Sequence, residues 1–276
     1  MSPIRFILLH ADATTPWKER LRYGADIAST FDADLTTLYA PSSAWVEHPL
    51  AMVASPEAFA IYREADERLL RQARAAYDAA TCDLGGRLHW SESGASPPEL
   101  AAIGRAFAAD LLILGQQRPE TGPEGAVSRH FVESVIIDSG RPALVVPYIG
   151  APASTEVALV AWKETRESAR ALTSAIPFLQ RARQVCVATW AEADDEAPAR
   201  ANVIGYLRSH GIEATLKPCG LAPARLGESM LSLAADLSAD LLVMGCYGHG
   251  RARERVLGGA TRDILEAMTI PVLMAH

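Results

Sequence analysis

Ala239-Asp240-Leu241-Leu242-Val243-Met244-Gly245-Cys246-Tyr247-Gly248-His249-Gly250 combines an apolar run with a cluster of glycines. Its apolar core, Leu241-Leu242-Val243, is short and bounded by a carboxylate and by glycines, which reads as a buried strand. Ile264, Leu265 and Met268 then recur at helical spacing, with Gly258-Gly259-Ala260-Thr261 just ahead of them. The glycines therefore occupy a strand-to-helix connection. Glycine there tolerates positive φ and lets backbone come close to a ligand. A helix starting near Gly259 aims free N–H groups and the positive end of its dipole at the loop. That combination suits an anion, most often phosphate. A Walker loop would need Lys-Ser/Thr after its second glycine, and none follows. A dinucleotide fingerprint would need a third glycine where Arg253 stands. The remaining pattern is Gly245, Gly248 and Gly258. Four glycines alone are also compatible with a tight turn that holds no ligand.

Working outward, the same phrase occurs earlier. Ala109-Asp110-Leu111-Leu112-Ile113-Leu114-Gly115 matches Ala239 to Gly245. Pro142-Ala143-Leu144-Val145-Val146 matches Pro271-Val272-Leu273-Met274-Ala275, and Arg5 to His10 matches Glu156 to Ala161. The chain is one α/β unit written twice. Gly150, Pro152 and Ser154 mark a linker, which gives domains over 1–150 and 151–276. The first half is predicted to hold strands over 4–10, 34–39, 87–92, 111–115 and 143–146. Helices fall over 17–31, 56–81, 97–108 and 131–138. The second half repeats this with strands over 157–161, 184–189, 212–216, 241–244 and 271–274. Its helices are expected over 166–180, 197–210, 224–237 and 261–268. Continuous Leu, Val and Ile in strands that alternate with helices imply a parallel sheet covered on both faces. Ligands in such sheets bind at the carboxyl ends of strands, where Ala161 and Gly245 lie.

A chain of 276 residues suits two domains of ordinary size, and 49% hydrophobic with 21% charged residues describes a globular protein with real cores. A formal charge of −7 argues against nucleic acid as the main partner. No apolar run approaches the ~20 residues of a membrane span, so no membrane partner is expected. Ile4 to Leu9 reads as a strand rather than a signal-peptide core. Cys82, Cys186, Cys219 and Cys246 show no paired or metal-type spacing, and His10, His89 and His210 none either. A reducing cytoplasm is the simplest compartment.

The glycine spacing, the Ala-Asp-apolar strand before it and the closing Pro-Val-Leu strand together resemble the universal stress protein family, in tandem form over the whole chain. The resemblance implies two doubly wound five-stranded parallel-sheet domains of the adenine nucleotide alpha hydrolase-like kind. It implies ATP, with Mg as an accompanying ion, as ligand. By position, Gly245, Gly248, Gly258, Gly259 and Ala260 would offer backbone donors to the triphosphate, and Thr261 a hydroxyl. Met244 and Ala161 would line base and ribose. Thr189 or Trp190 would face adenine, and Tyr247 stands where relatives often carry His. The family's last strands often pair across a dimer. The two halves are expected to make that contact internally through 143–147 and 272–276, with a further homodimer as the partner of the whole chain.

The chain departs from the family pattern in places. Lys163 stands where the first strand usually ends in Asp, and Gly259 where Ser or Thr is usual. A lysine pairs with phosphate but accepts no hydrogen bond from ribose; the alternative is a solvated lysine at a helix start. In the first half Arg118, Arg129 and His130 replace the later glycines and Asp12 keeps the acid, so the first site is expected to be degenerate. Those three residues form either an anion site or a surface basic cluster. The apolar, proline-containing segment 41–60 is a lid or an interaction surface. Cys246 reads as a redox thiol or as a small residue in a tight loop. No nucleophile, base and orienter set is legible. Three functions follow: an ATP-binding stress-response protein, a scaffold acting through protein contacts, and a slow nucleotide hydrolase.

Overall fold

The computed structural model describes residues 4–12, 17–42, 56–94, 97–116, 127–150, 155–191, 200–246 and 259–276. The chain divides into two compact units, Met1–Ser139 and Gly140–His276.

The first unit runs β1 (Phe6–Ala11), α1 (Trp17–Phe31), β2 (Asp34–Tyr39), α2 (Pro56–Thr81), β3 (Leu88–Glu92), α3 (Pro98–Ala106), β4 (Leu111–Gly115) and α4 (Phe131–Ser139). Its strands lie in the order β3-β2-β1-β4, all parallel. Leu9, Leu35 and Ile113 share one face and press on α1 at Gly24. A Cβ at Gly24 would come within 2.7 Å of the Leu9 Cδ1, so the missing side chain is what lets the helix sit this low. The opposite face carries α4, whose Phe131 ring lies 4.2 Å from that of His10.

The second unit contains β5 (Ala143–Val146), β6 (Val157–Trp162), α5 (Arg166–Leu179), β7 (Gln184–Ala191), α6 (Arg200–Ser209), β8 (Ala214–Leu221), α7 (Leu226–Asp236), β9 (Leu241–Gly245), α8 (Gly259–Ala267) and β10 (Val272–Ala275). Strands β10, β9, β6, β7 and β8 pair in parallel in that order. Strand β5 joins them antiparallel to β10, with Val145 opposite Val272 and Leu144 opposite Leu273. The pairing expected of the two closing strands is therefore present. The compact units divide ahead of β5, so this strand of the first repeat counts with the second unit, and four strands among the described residues remain in the first.

The repeat extends to individual hydrogen bonds. The Asp110 carboxylate accepts from the N–H groups of Arg5 (2.8 Å) and Phe6 (2.9 Å). Asp240 does the same for Glu156 (2.8 Å) and Val157 (3.1 Å). The N–H of Asp110 donates to the Phe6 carbonyl at 2.8 Å, and that of Asp240 to the Val157 carbonyl at 2.9 Å. The aspartate in the twice-written Ala-Asp-apolar phrase thus ties the mouth of the fourth strand to the first. Strands at the centres are buried almost throughout, as continuous apolar runs require. Strand β8 runs to Leu221, beyond the segment expected. It is the last strand of its unit and alternates half-buried with exposed residues, so it carries no apolar run to mark its end.

Candidate functional site

In the second unit the chain leaves β6 for β7 on one side and reaches β9 and β10 on the other. The crevice between the carboxyl ends of β6 and β9 is the point where strand order reverses. Ala161 and Met244 are register partners there and both are buried. Met274 is opposite Met244, and Ala188 is opposite Ala161, which gives one apolar row across four strands. One residue further, Trp162 is opposite Thr189 and Gly245 is opposite Ala275.

Gly245 faces the start of α5. A Cβ on it would fall 2.5 Å from the Ser168 nitrogen and 2.7 Å from the Glu167 carbonyl carbon. That helix is capped by Thr165, whose hydroxyl accepts from the Ser168 N–H at 3.3 Å, a standard N-cap arrangement. Lys163 is exposed and sits in the turn between β6 and α5. Its N–H donates to Ser168 Oγ at 3.3 Å and its carbonyl accepts from the Thr165 N–H at 2.7 Å. Glu167 is buried and accepts from Arg166 Nε. Burial pushes the Glu167 carboxyl up, but hydrogen bonds from Arg166, its own backbone and Thr165 outweigh it and hold its pKa below the usual range.

Thr189 is buried and Trp190 is half-buried, next to a register shift between Thr189 and Ala191. The Thr189 hydroxyl and the Trp162 indole N–H are buried without a hydrogen-bond partner. At the other side of the crevice α8 begins at Gly259, with Ala260 half-buried and Thr261 buried. Its first turn packs on α7, where a Cβ at Gly227 would meet the Ala260 carbonyl at 2.8 Å. Tyr247, Gly248 and Gly258 lie outside the described residues, as do Arg118 and most of 41–60. Cys246 is buried, with its N–H donating to the Ala275 carbonyl at 3.0 Å, so its thiol is not an accessible one.

The corresponding place in the first unit is filled differently. Arg20 of α1 lies directly over Gly115, so that a Cβ there would fall inside its guanidinium. Arg20 and Asp12 are both buried, with Nη2 3.9 Å from Oδ1. His10 is buried beside them, and its Nε2 lies 2.8 Å from the Ala40 carbonyl. Burial lowers the His10 pKa to about 4, with Arg20 adding to the effect against the opposing pull of Asp12. Of the basic residues expected to crowd this cleft, His130 lies 3.2 Å from Glu133 and remains largely exposed, and Arg129 is exposed. Sequence reasoning missed Arg20. The signal was present: Trp17, Leu21, Gly24, Ile27, Ala28 and Phe31 form the buried stripe of α1, and Arg20 falls within it.

No protein-family model and no curated protein sequence matches the chain. Solved structures match it over nearly its whole length. A universal stress protein from Archaeoglobus fulgidus DSM 4304 superposes with a TM-score of 0.67 at 16% identity, covering 98% of this chain and 97% of that one. A putative universal stress protein from Pseudomonas aeruginosa UCBPP-PA14 gives 0.58 at 15% identity over 99% and 93%. A functionally unknown protein from Pseudomonas aeruginosa PAO1 gives 0.60 at 14% over 99% and 92%.

Proposed function

We propose that this chain, whose fold is that of the tandem universal stress proteins, is a cytoplasmic stress-response protein. On this reading it binds ATP with its Mg ion in the second half and acts through conformation or partner binding rather than catalysis. The observation that carries the reading is the pair of orphaned polar groups at the crevice. Among the described residues, the Trp162 indole N–H and the Thr189 hydroxyl are buried without a partner at the carboxyl ends of β6 and β7. Buried polar groups are nearly always hydrogen-bonded, so a polar ligand is the economical partner for them. Ala161 and Met244 then line base and ribose, with Trp190 beside the base. Gly245, Gly248, Gly258, Gly259 and Ala260 supply backbone donors to the phosphates, Thr261 its buried hydroxyl, and Tyr247 flanks the loop. Lys163, exposed at the crevice mouth, meets the phosphates. A homodimer is the expected partner state of the whole chain.

Mass spectrometry of small molecules released from freshly purified protein tests the ligand, and calorimetry with ATP tests the site. One ATP per chain is expected, lost in Gly248→Val while the fold remains, because a branched side chain there blocks the approach of backbone to phosphate. Unchanged binding by that variant would place the site elsewhere. The second reading, a scaffold without nucleotide, is favoured by Lys163 in place of the acid. Absence of both co-purified nucleotide and ATP binding would establish it. Lys163→Asp separates the roles of that residue: ATP should weaken relative to adenosine, since the variant adds charge near phosphate and restores a ribose acceptor.

A further inference from the structure

The first unit carries a second and chemically different set of buried polar groups without partners. In α1, Arg20 is 6% exposed, and both its Nε and its Nη2 are buried without a hydrogen-bond partner. Those two nitrogens form one edge of the guanidinium, where two N–H bonds run parallel and match the paired oxygens of a carboxylate or phosphate. Asp12 does not occupy that edge: its Oδ1 lies 3.9 Å from Nη2, outside hydrogen-bonding distance. Gly115 lies under Nη1, and Ala11, opposite Tyr39 across β1 and β2, takes the neighbouring position. Tyr39 itself is 4% exposed, and its hydroxyl is a further buried group without a partner. Carboxylates surround these unpaired donors: Asp12 lies beside Arg20, and Asp66, Asp12 and Glu92 all act on Tyr39.

We propose that the first unit binds a small oxyanion that carries its own proton, of the hydrogen-phosphate class, on the open edge of Arg20. Two of its oxygens accept from Arg20 Nε and Nη2, and its P–O–H donates to Asp12. A fully deprotonated anion would bring charge against the Asp12 carboxylate with no hydrogen to share, so sulfate is excluded by the same geometry that admits phosphate. Arg20 also explains why this unit need not keep the loop glycines of the second: the cation replaces backbone donors as the anion's partner. Burial lowers the Arg20 pKa, which is the mark of a desolvated cation that an arriving anion relieves. This site stands apart from the nucleotide reading, because it uses other residues in another unit.

Calorimetry on the full chain at pH 7 tests it with inorganic phosphate, with glycerol phosphate and with sulfate, each with and without saturating ATP. Expected are phosphate binding at one per chain, unaffected by ATP, and sulfate binding weaker by about tenfold or more, the loss of one charge-assisted hydrogen bond. Arg20→Lys keeps the charge and removes the two-nitrogen edge, and should lose about tenfold or more in phosphate affinity. Asp12→Asn, nearly isosteric, removes the carboxylate that accepts the P–O–H, should lose several-fold in phosphate affinity and narrow the preference over sulfate, and serves where the Arg20 variant fails to fold. Binding of glycerol phosphate equal to that of phosphate assigns the site to phosphomonoesters, and its exclusion assigns it to the free ion. The proposal is overturned by absence of phosphate binding, by sulfate binding as well as phosphate, by displacement with ATP, or by unchanged affinity in both variants.

Discussion

At the scale of single residues, the two strand-tying aspartates hold the fourth strand of each copy to the first by charge-assisted hydrogen bonds. Each Asp110 or Asp240 carboxylate satisfies two backbone N–H groups at the start of a central strand. Replacement by Ala removes charge-assisted bonds, and the half-exposed setting places the cost at about 1–2 kcal/mol each. Equilibrium urea unfolding of Asp110→Ala and Asp240→Ala measures it; a midpoint unchanged in both would show that water replaces the carboxylates at no cost. His10 makes a pH prediction. Its folded pKa is lowered by burial to about 4, beneath the ordinary value of 6.5. Its contribution is therefore fully present above pH 6.5 and is lost as pH falls towards 4, because the unfolded chain takes up a proton that the folded one refuses. The loss amounts to at most about 3 kcal/mol. Unfolding at pH 7 and pH 5 should show this slope in the native chain and a shallower one in His10→Gln; equal slopes would assign the effect to other groups. The sequence announced the aspartates by repeating them, but as part of a family pattern and not as strand ties. It hid Arg20 and the partnerless Thr189 and Trp162, because hydrogen-bond satisfaction is a property of three-dimensional neighbours.

At the scale of elements, helix placement was legible and strand extent less so. Helices α1 and α2 begin and end where the periodicity of Trp17 to Phe31 and Pro56 to Thr81 places them. Strands β7 and β8 both run past the segments their apolar residues mark, since pairing continues across the register shift after Thr189 to Ala191 and Leu221. The glycine of the Ala-Asp-apolar-Gly phrase also acquires a meaning that spacing did not reveal. Gly245 is small because α5 begins against it. In Gly245→Ala the new methyl meets backbone at 2.5 Å, the Ser168 nitrogen, so the helix must shift. An overpacking cost of about 1–3 kcal/mol is expected. In Gly24→Ala the methyl meets side-chain tips, Leu9 at 2.7 Å and Ile113 at 3.3 Å, which rotamer changes accommodate at lower cost than a backbone shift. Thermal unfolding of the two variants should rank Gly245→Ala as the more damaging. ATP binding should fall in that variant alone, since only it displaces the capped helix start beside the crevice. The reverse ranking would mean that α5 yields more readily than the α1 interface.

At the scale of the whole molecule, the repeat in the sequence and the division of the structure do not share a boundary. The repeat puts Pro142 to Val146 at the end of the first copy, yet β5 falls in the Gly140–His276 unit. Pairing explains this. Val272, Leu273 and Met274 of β10 are fully buried, and so are Ala143, Leu144 and Val145 opposite them. An open β10 edge would leave the outward backbone groups of alternate strand residues unsatisfied and apolar side chains exposed, a liability that natural sheets cover. Covering it with the closing strand of the preceding copy makes stability of the second unit depend on residues outside its own repeat. Leu144→Ala and Leu273→Ala should then each cost about 2–5 kcal/mol, as deletions at buried leucines do. The double variant should cost less than their sum by at least about 0.5 kcal/mol, because the two side chains are direct register partners. In native-state hydrogen exchange, Leu144→Ala should speed exchange of β9 and β10 amides and leave those of β2 and β3 at their native rates, although Leu144 belongs to the first copy in sequence. If exchange rises instead in β2 and β3, β5 is energetically part of the first unit. The structural boundary would then coincide with the repeat boundary, against the division that the antiparallel pairing implies.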